Sequence, residues 1–177
     1  PRRLIMAAPL LGSGLSISDD GREVWLTAID YGAIAQTTRL LRWRQGEGLR
    51  EVTSGLGPGL TVDGAGRRYF FAEVDGDRWS LAVYDVASGA RRTLLEAAPG
   101  TYVLGGQLSP DGRVLAASAW NGAAFVVWLI DAQRGQLLRE LRGDGPLFDP
   151  SFLDDGRLLH LRAVDGRFQI ELRDREG

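Results

Sequence analysis

Short apolar runs alternate with polar turns along most of the chain, and the runs come in pairs. Val114–Trp120 and Phe125–Ile130 form one pair, and Tyr69–Val74 and Trp79–Val86 form another. Phe125–Ile130 is apolar at every position, which indicates a strand buried on both faces rather than one with a wet face. The pattern therefore predicts an all-β chain in which pairs of central strands are packed between neighbouring sheets.

A third such pair, Leu158–Val164 and Phe168–Leu172, follows near the end of the chain.

One stretch could instead be a helix: in Ala33–Trp43 the residues Ile34, Thr37, Leu40 and Leu41 could form an apolar stripe. The repeat described next places a loop and then a strand there, and we expect the strand.

The paired runs belong to an internal repeat marked by a turn before each pair. The turns contain Gly21, Gly66, Gly112 and Gly156, each followed by Arg, at successive intervals of 45, 46 and 44 residues. A second mark follows the pairs, at Gly89, Gly135 and Gly177, with its first-repeat equivalent near Gly46 to Gly48. A period of about 45 residues with four short strands is typical of the blade of a β-propeller.

Two further strands complete each repeat. The run after the second mark begins polar and basic, as in Ala90–Leu95 and Gln136–Arg142, which suits an exposed outer edge. The run before the first mark is short and made of small residues, as in Gly14–Ser18, Gly59–Val62 and Gly106–Ser109, which suits an inner strand crowded near the propeller axis. Each Asp-Gly marker is predicted to be a hairpin turn, because such turns require positive φ.

The sequence thus predicts about four blades of four-stranded antiparallel sheet. The expected limits are residues 1–11 for the outer strand of a preceding or closing blade, 12–56 for blade 1, 57–104 for blade 2, 105–147 for blade 3 and 148–177 for blade 4, whose outer strand is missing. A closed four-bladed ring and a segment of a six- to eight-bladed ring both fit this order. We favour the segment, because propellers commonly have more than four blades and the start, Pro1–Arg3, has neither an initiator Met nor a signal-peptide pattern.

Charge and composition exclude several classes of function. The 21 basic and 23 acidic side chains give a net charge of −2, which predicts neither nucleic-acid binding nor attraction to an anionic membrane. There is no cysteine, so thiolate catalysis and cysteine-ligated metals are ruled out. No apolar run reaches the roughly 18 residues needed to span a bilayer, and no membrane insertion is expected.

The segment Leu108–Ala116, with Ser109-Pro110-Asp111-Gly112-Arg113 at its centre, and the later Ile130-Asp131 before Gly135 resemble the TolB-like propeller repeat. Leu108 stands where that family usually has Trp. No Trp-Asp or Gly-His pair occurs, which speaks against WD repeats. The resemblance implies a propeller used for protein binding, often outside the cytoplasm and sometimes attached to a peptidase domain; the residues themselves leave the compartment unknown.

Candidate catalytic chemistry is sparse, and we expect neither an enzyme nor a cofactor or metal site within this chain. His160 is the only histidine and lies on a predicted central strand, which favours a structural role. No Gly-x-Ser-x-Gly elbow presents a serine. Gly55–Gly59 lacks the strand–loop–helix context of a phosphate site, and Asp19-Asp20 and Asp75–Asp77 offer too few oxygens for calcium.

The loops on one face of the propeller are the candidate binding site. These are the loops between second and third strands and the links between blades, where exposed aromatic and Arg side chains would act as anchors. By position we select Tyr31, Arg78, Tyr102, Trp120, Asn121 and Arg167.

The leading hypothesis is a non-catalytic scaffold that binds a protein or peptide and whose other partners are the remaining blades of the same propeller. The alternative is the accessory, substrate-gating propeller of a larger hydrolase such as a peptidase. A weaker third idea places a small molecule in the central channel, beside Ser16, Ser18, Thr61 and Gln107.

Overall fold

A computed structural model describes residues 11–30, 37–57, 59–76 and 78–174. In this part of the chain the regular elements are fifteen strands, which form four antiparallel sheets. The strands are β1 Leu11–Ile17, β2 Glu23–Asp30, β3 Thr37–Arg44, β4 Gly48–Leu56, β5 Gly59–Val62, β6 Arg68–Asp75, β7 Arg78–Asp85, β8 Arg91–Glu96, β9 Tyr102–Leu108, β10 Val114–Trp120, β11 Phe125–Asp131, β12 Leu137–Leu141, β13 Leu147–Phe152, β14 Leu158–Val164 and β15 Arg167–Arg173.

Each sheet is a blade whose strands follow one another in chain order. The orders are β1-β2-β3-β4, β5-β6-β7-β8, β9-β10-β11-β12 and β13-β14-β15, and the last sheet has three strands among the described residues. The inner strands β1, β5, β9 and β13 lie side by side in that order. This architecture confirms the predicted all-β propeller segment.

The predicted strands agree with the structure apart from shifts at their ends, of which the largest is in β9. Residues 37–43 lie in β3, so the rival helix is wrong there, while Ala33 to Gln36 lie outside the described residues. β9 begins at Tyr102 rather than at the predicted Gly106, because Tyr102 pairs with Trp120 of the neighbouring strand. The predicted outer strand within residues 1–11 falls almost entirely outside the described part of the chain.

The repeated turn is held by a serine and an aspartate. Ser109 Oγ donates to Asp111 Oδ1 at 2.6 Å and accepts from the backbone N–H of Val114 at 2.9 Å. Asp111 also accepts from the N–H of Arg113. Ser18 and Asp20 form the same network in blade 1. These bonds satisfy the polar groups of a turn whose glycine has positive φ, +67° at Gly112.

Blade 4 departs from this pattern because Leu153 replaces the serine. Its backbone N–H donates to the carbonyl of Arg157, four residues on, whereas Ser109 donates to Val114, five residues on. The turn is therefore one residue tighter, and a one-residue change moves every following side chain to the other face of the strand. Leu158 consequently packs against blade 3, in one cluster with Ala116 and Leu129.

The hydrophobic core lies between blades rather than inside any one of them. Phe70, Leu81 and Val83 of blade 2 pack against Leu115 and Ile130 of blade 3, and separate clusters join blades 1 and 2 and blades 3 and 4. These side chains have at most 5% of their surface exposed. Both faces of a central blade are thus buried, as the continuous apolar runs predicted.

The basic outer strand of blade 2 has a second role besides protecting an edge. Arg91 donates to the carbonyls of Ser54 and Gly55 in blade 1, and Arg92 donates to the carbonyl of Gln133 in blade 3 at 2.8 Å. These guanidinium groups therefore tie blade 2 to both of its neighbours.

Candidate partner-binding face

Six aromatic side chains form a continuous series across blades 2, 3 and 4, which we call the aromatic ladder. The steps between ring centroids are 5.8 Å from Trp79 to Tyr102, 6.3 Å from Tyr102 to Trp120 and 5.0 Å from Trp120 to Phe125. The series continues at 4.8 Å to Phe148 and 6.3 Å to Phe168. These separations are typical of interacting aromatic pairs.

The rings meet because all six residues lie where strands begin or end on the same face of the propeller. Tyr102 and Phe125 are the first residues of their strands, Trp120 is the last of β10, and the other three follow a strand start by one residue. Hairpins between second and third strands and links between blades share this face. The stacking of blades in chain order then places the rings in a row.

The ladder is partly exposed, unlike the core between the blades. Trp79, Tyr102, Trp120, Phe125 and Phe148 are half-buried, and Phe168 has 70% of its surface exposed. An apolar surface of this kind, rimmed by charged residues, is typical of an interaction site.

The residues selected from sequence have different places around the ladder. Tyr102 and Trp120 belong to it, and the exposed Arg78 and Arg167 directly precede Trp79 and Phe168 in the chain. Asn121 instead organises its hairpin: its Oδ1 accepts from the N–H groups of Ala123 and Ala124. Tyr31 lies outside the described residues.

Sequence reasoning missed four members of the ladder. Trp79, Phe125 and Phe168 appeared only as the first residues of predicted strands, and Phe148 was not singled out. Trp79, Phe125 and Phe168 each begin an apolar run, where an aromatic residue looks like core, whereas Phe148 lies between Leu147 and Asp149. A usable signal was position within the repeat, because all four lie next to the loops that had already been chosen.

Glu140 supports the ladder from the outer strand of blade 3. Its carboxylate accepts from Trp128 Nε1 at 2.9 Å and from Asn121 Nδ2 at 3.2 Å, and it pairs with Arg142. Burial by itself would raise the pKa of Glu140, but these hydrogen bonds and the charge of Arg142 together hold the pKa below its usual value. The ionised carboxylate thus links the hairpin of Trp120 to the strand behind it.

Two open cavities adjoin the ladder. One, of about 300 Å³, lies beside Trp120 and Phe125 and is also lined by Pro146 and Arg142; we call it the Trp120 pocket. The other, of about 490 Å³, lies beside Trp79; we call it the acidic notch. The notch is lined by Glu73, Asp75, Arg78, Trp79, Ser80, Thr93, Glu96, Ala97 and Pro99.

The central channel, a space of about 890 Å³, is lined by the inner strands. Two of its polar side chains join neighbouring blades, and two others bond within their own blade. Gln107 Oε1 accepts from Ser151 Oγ and from the N–H of Phe152, both at 2.8 Å, and Ser16 Oγ accepts from the N–H of Val62. Thr61 Oγ1 donates to the carbonyl of Val62, and Ser18 belongs to its turn.

His160 is fully buried on β14, the central strand on which the sequence places it. Its Nε2 lies 3.3 Å from Glu171 Oε2, in geometry that makes no hydrogen bond for either ring nitrogen. Burial, and then the charge of Arg173, lower the pKa of His160 below its usual value. Among the residues described, no group of three His, Asp or Glu side chains could hold a metal ion, and none of the elements is a helix able to cross a bilayer.

Comparison with known proteins identifies the fold. No family model and no curated protein matches the sequence, but solved structures do. TolB from Acinetobacter baumannii has a TM-score of 0.58 at 21% identity, over 94% of this chain and 44% of that protein. A puromycin hydrolase has a TM-score of 0.65 at 18% identity, over 97% of this chain and 28% of that one.

The acylaminoacyl peptidase of Pyrococcus horikoshii is a third such structure, with a TM-score of 0.64 at 15% identity over 93% of this chain. The present chain spans only 31% of that peptidase and less than half of the other two proteins. Identities this low establish architecture and not activity. The chain has a TolB-like β-propeller fold.

Proposed function

We propose that this chain is a non-catalytic binding module that captures a protein or peptide on the face bearing the aromatic ladder. The observation that carries the proposal is the ladder itself: six contacting rings that remain partly exposed at the loops of three blades. Its mechanism is presentation by a rigid scaffold, in which blade packing holds the rings before a partner arrives. Little side-chain conformational entropy is then lost on binding.

Photo-crosslinking tests the proposal. The photoreactive residue p-benzoylphenylalanine replaces Phe168, which is 70% exposed on the ladder, or in a matched control Leu138, which is 51% exposed on the outer strand of blade 3. Irradiation in extracts of the source cells should give discrete adducts for position 168 that the 138 control lacks. Identical adducts at both positions, or none at either, would refute the assignment of this face.

A double variant provides the second arm of the test. Trp120→Ala with Arg78→Ala should reduce the yield of adducts at position 168 while the chain still melts cooperatively, with a melting temperature lowered by about 3–9 °C through the two lost ring contacts. A larger drop in melting temperature, or loss of folding, would instead assign Trp120 to the core. The adduct yield would then be compared between the unsubstituted chain and the Arg78→Ala single variant, because the Arg78 side chain is exposed.

The alternative role, the accessory propeller of a larger hydrolase, draws support from two of the similar structures. Both the puromycin hydrolase and the acylaminoacyl peptidase are hydrolases of which this chain matches about 30%. Sequencing the gene beyond both ends tests this role. A Gly-x-Ser-x-Gly elbow or a zinc-binding helix would support it, and an open reading frame holding only further blades would contradict it.

The remaining blades of the same propeller are the second class of partner that we propose. Ile170 and Leu172 share one face of blade 4 and are 75% and 45% exposed, and Phe168 stands at the rim of that face, where the ladder ends. In blades 2 and 3 the corresponding sheet faces are covered by a neighbour. A further blade packed on this face would bury it in the same manner.

A further inference from the structure

We infer that two copies of this chain associate head to tail, with the outward face of blade 4 in each copy packed on the outward face of blade 1 in the other. Four blades from each copy then close a ring of eight. The inference rests on the further blades proposed above as a partner of blade 4, because it names a second copy of the chain as their source.

The outward face of blade 1 carries apolar side chains where the other blades have buried ones. Trp25 packs on blade 2, so its neighbours Val24 and Leu26 point to the opposite face, which Ile17 shares because it pairs with Val24. We call Ile17, Val24 and Leu26 the blade 1 end face. Ile17 and Val62 both stand directly before the turn from first to second strand. Val62 is 8% exposed where it packs on blade 1, whereas Ile17 is 59% exposed.

The outward face of blade 4 is apolar in the same way. Leu158 packs against blade 3, so Leu159 and Leu161 of the same strand point away from that blade. Ile170 and Leu172 pair with them from the third strand and are 75% and 45% exposed. We call Leu159, Leu161, Ile170 and Leu172 the blade 4 end face.

The two end faces are the two halves of the contact that repeats between blades. In blade 3 the face turned toward blade 4 presents Val127 and Leu129 from its third strand, and blade 4 covers them to 0% and 8% exposure. Ile170 and Leu172 hold the equivalent face of blade 4. The blade 1 end face corresponds to the face that receives such side chains at each junction. Each end face therefore fits the other.

One copy cannot satisfy both of its end faces, because Ile17 and Ile170 remain 59% and 75% exposed in the folded chain. A second copy presents both halves at once, and a two-fold rotation brings both pairs of end faces together. A contact between unlike faces gives a closed ring when its rotation closes. A ring of eight blades lies within the range of about four to eight that is typical of propellers.

The area of the contacts favours a closed ring over a single contact. The three described strands of blade 4 have at least six residues each. Because strands lie about 4.8 Å apart and rise about 3.3 Å per residue, such a sheet face covers about 290 Å². One contact between two faces buries about 600 Å², which is too little for a specific interface, whereas two contacts bury about 1,100 Å², near the lower limit for stable interfaces.

Sedimentation velocity of the 177-residue chain and of two charge variants tests the inference. Ile170→Lys alters the blade 4 end face and Ile17→Glu alters the blade 1 end face, and both side chains are exposed, so both variants are expected to fold. The unsubstituted chain should sediment as a dimer. Each variant alone should raise the dissociation constant of the dimer at least about a hundredfold, because it places an unpaired charge in both contacts.

An equimolar mixture of the two variants tests the head-to-tail arrangement itself. In a mixed dimer the two introduced charges have opposite signs and share one contact, while the other contact keeps its original residues. The mixture should therefore regain dimers at concentrations at which each variant alone is monomeric. Leu15→Glu, at a side chain that is 64% exposed and paired with Leu26, takes the place of Ile17→Glu if that variant does not melt cooperatively.

Leu49→Lys is the matched control, because outer strands stay outside the contacts between blades. Leu137 on the outer strand of blade 3 is 40% exposed although its partner Ile130 is packed on blade 2. Leu49 holds a similar place in blade 1, at 37% exposure. Leu49→Lys should leave the dissociation constant of the dimer unchanged.

Several outcomes would overturn the inference. A monomeric unsubstituted chain would do so, and so would a series of oligomers larger than a dimer, which indicates an open chain of copies. Loss of the dimer in Ile170→Lys alone, or a mixture that stays monomeric, would exclude the head-to-tail contact. The ladder is decided separately, because an adduct of position 168 with a second copy has twice the mass of the chain and is distinguished from an adduct with another protein.

Discussion

Gly135 offers the sharpest test of how closely the blades approach one another. It ends the turn after β11 with φ of +71°, and its N–H donates to the carbonyl of Asp131 at 2.8 Å. A Cβ added at Gly135 would lie 1.6 Å from the carbonyl oxygen of Leu94 in blade 2. No side-chain rotation relieves that contact, because the obstacle is backbone. Gly135→Ala therefore forces the turn and the neighbouring blade apart.

The repeat supplies a matched control in Gly89, which occupies the same position in blade 2. Its φ is also +71°, and its N–H donates to the carbonyl of Asp85 at 2.9 Å. An added Cβ there would meet only the hydroxyl of Tyr84, at 3.8 Å. Gly89→Ala therefore reports the cost of the left-handed backbone alone, and the difference between the two variants reports the approach of the blades.

The magnitudes follow from these two contributions. A left-handed conformation costs alanine about 1 kcal/mol, which applies to both variants. Forcing apart a packed contact adds about 2 kcal/mol for Gly135→Ala. In a domain of this size 1 kcal/mol lowers the melting temperature by about 3 °C. We thus expect a drop of about 3 °C for Gly89→Ala and about 9 °C for Gly135→Ala.

Circular dichroism melts of both variants and the unsubstituted chain, at one pH and one concentration, measure this difference. Both variants must melt cooperatively for the comparison to hold. If the two midpoints lay within about 2 °C of each other, the close packing of the turn at Gly135 on the outer strand of blade 2 would be wrong.

Three further predictions concern other elements of the fold. Ser109→Ala removes two hydrogen bonds from a buried turn and should lower the free energy of unfolding, measured by urea titration, by about 1–2 kcal/mol. Ser88→Ala, in an exposed turn, is the control and should lower it by less than about 0.5 kcal/mol. Equal losses would contradict the role of Ser109. Burial lowers the pKa of His160 from 6.5, so as the pH falls through 6.5 the unfolded chain binds a proton that the folded chain does not, and stability is lost on acidification. The fall in melting temperature between pH 7.5 and 5.5 should therefore be smaller in His160→Gln. An unchanged fall would refute the role of His160. Ile170→Lys, at a side chain that is 75% exposed, should reduce concentration-dependent association in sedimentation velocity without lowering the melting temperature. Leu49→Lys, at 37% exposure on the outer strand of blade 1, is the control and should leave association unchanged. The reverse result would show that the apolar face of blade 4 does not cause the association.

The strands were predictable because in most blades the local and the global requirements agree. A strand buried on both faces must be apolar throughout, as Phe125–Ile130 is, and a tight hairpin between strands must carry glycine at positive φ, as at Gly112. Blade 4 is an exception, because its apolar pattern does not by itself determine the strand register. Leu158, Leu159 and Leu161 satisfy either register, and the hydrogen bond from Leu153 to Arg157 decides between them.

The candidate site was predictable in location and only partly in composition. Tyr102 and Trp120 were selected because the repeat placed them at loops of one face. Phe125 escaped because its sequence neighbours Ala124 and Val126 are apolar, so nothing local distinguishes its ring from one in the core, and Phe148 escaped because no apolar run was recognised around Leu147 and Asp149. Their contact at 4.8 Å joins two blades, and such a contact depends on the stacking of the blades.

The ladder serves both stability and recognition, and exposure separates the two contributions along its length. Each aromatic pair contributes about 0.5–1.5 kcal/mol beyond the area it buries, so the half-buried rings of Trp120 and Phe125 also help to hold blade 3 together. Phe168 is different, because 70% of its surface is exposed and it contacts the ladder through Phe148 alone. Its area is available to a partner, and its loss would remove little from the fold. Recognition is therefore best probed from the exposed end of the ladder inward, since the structural contribution of each ring increases toward blade 3.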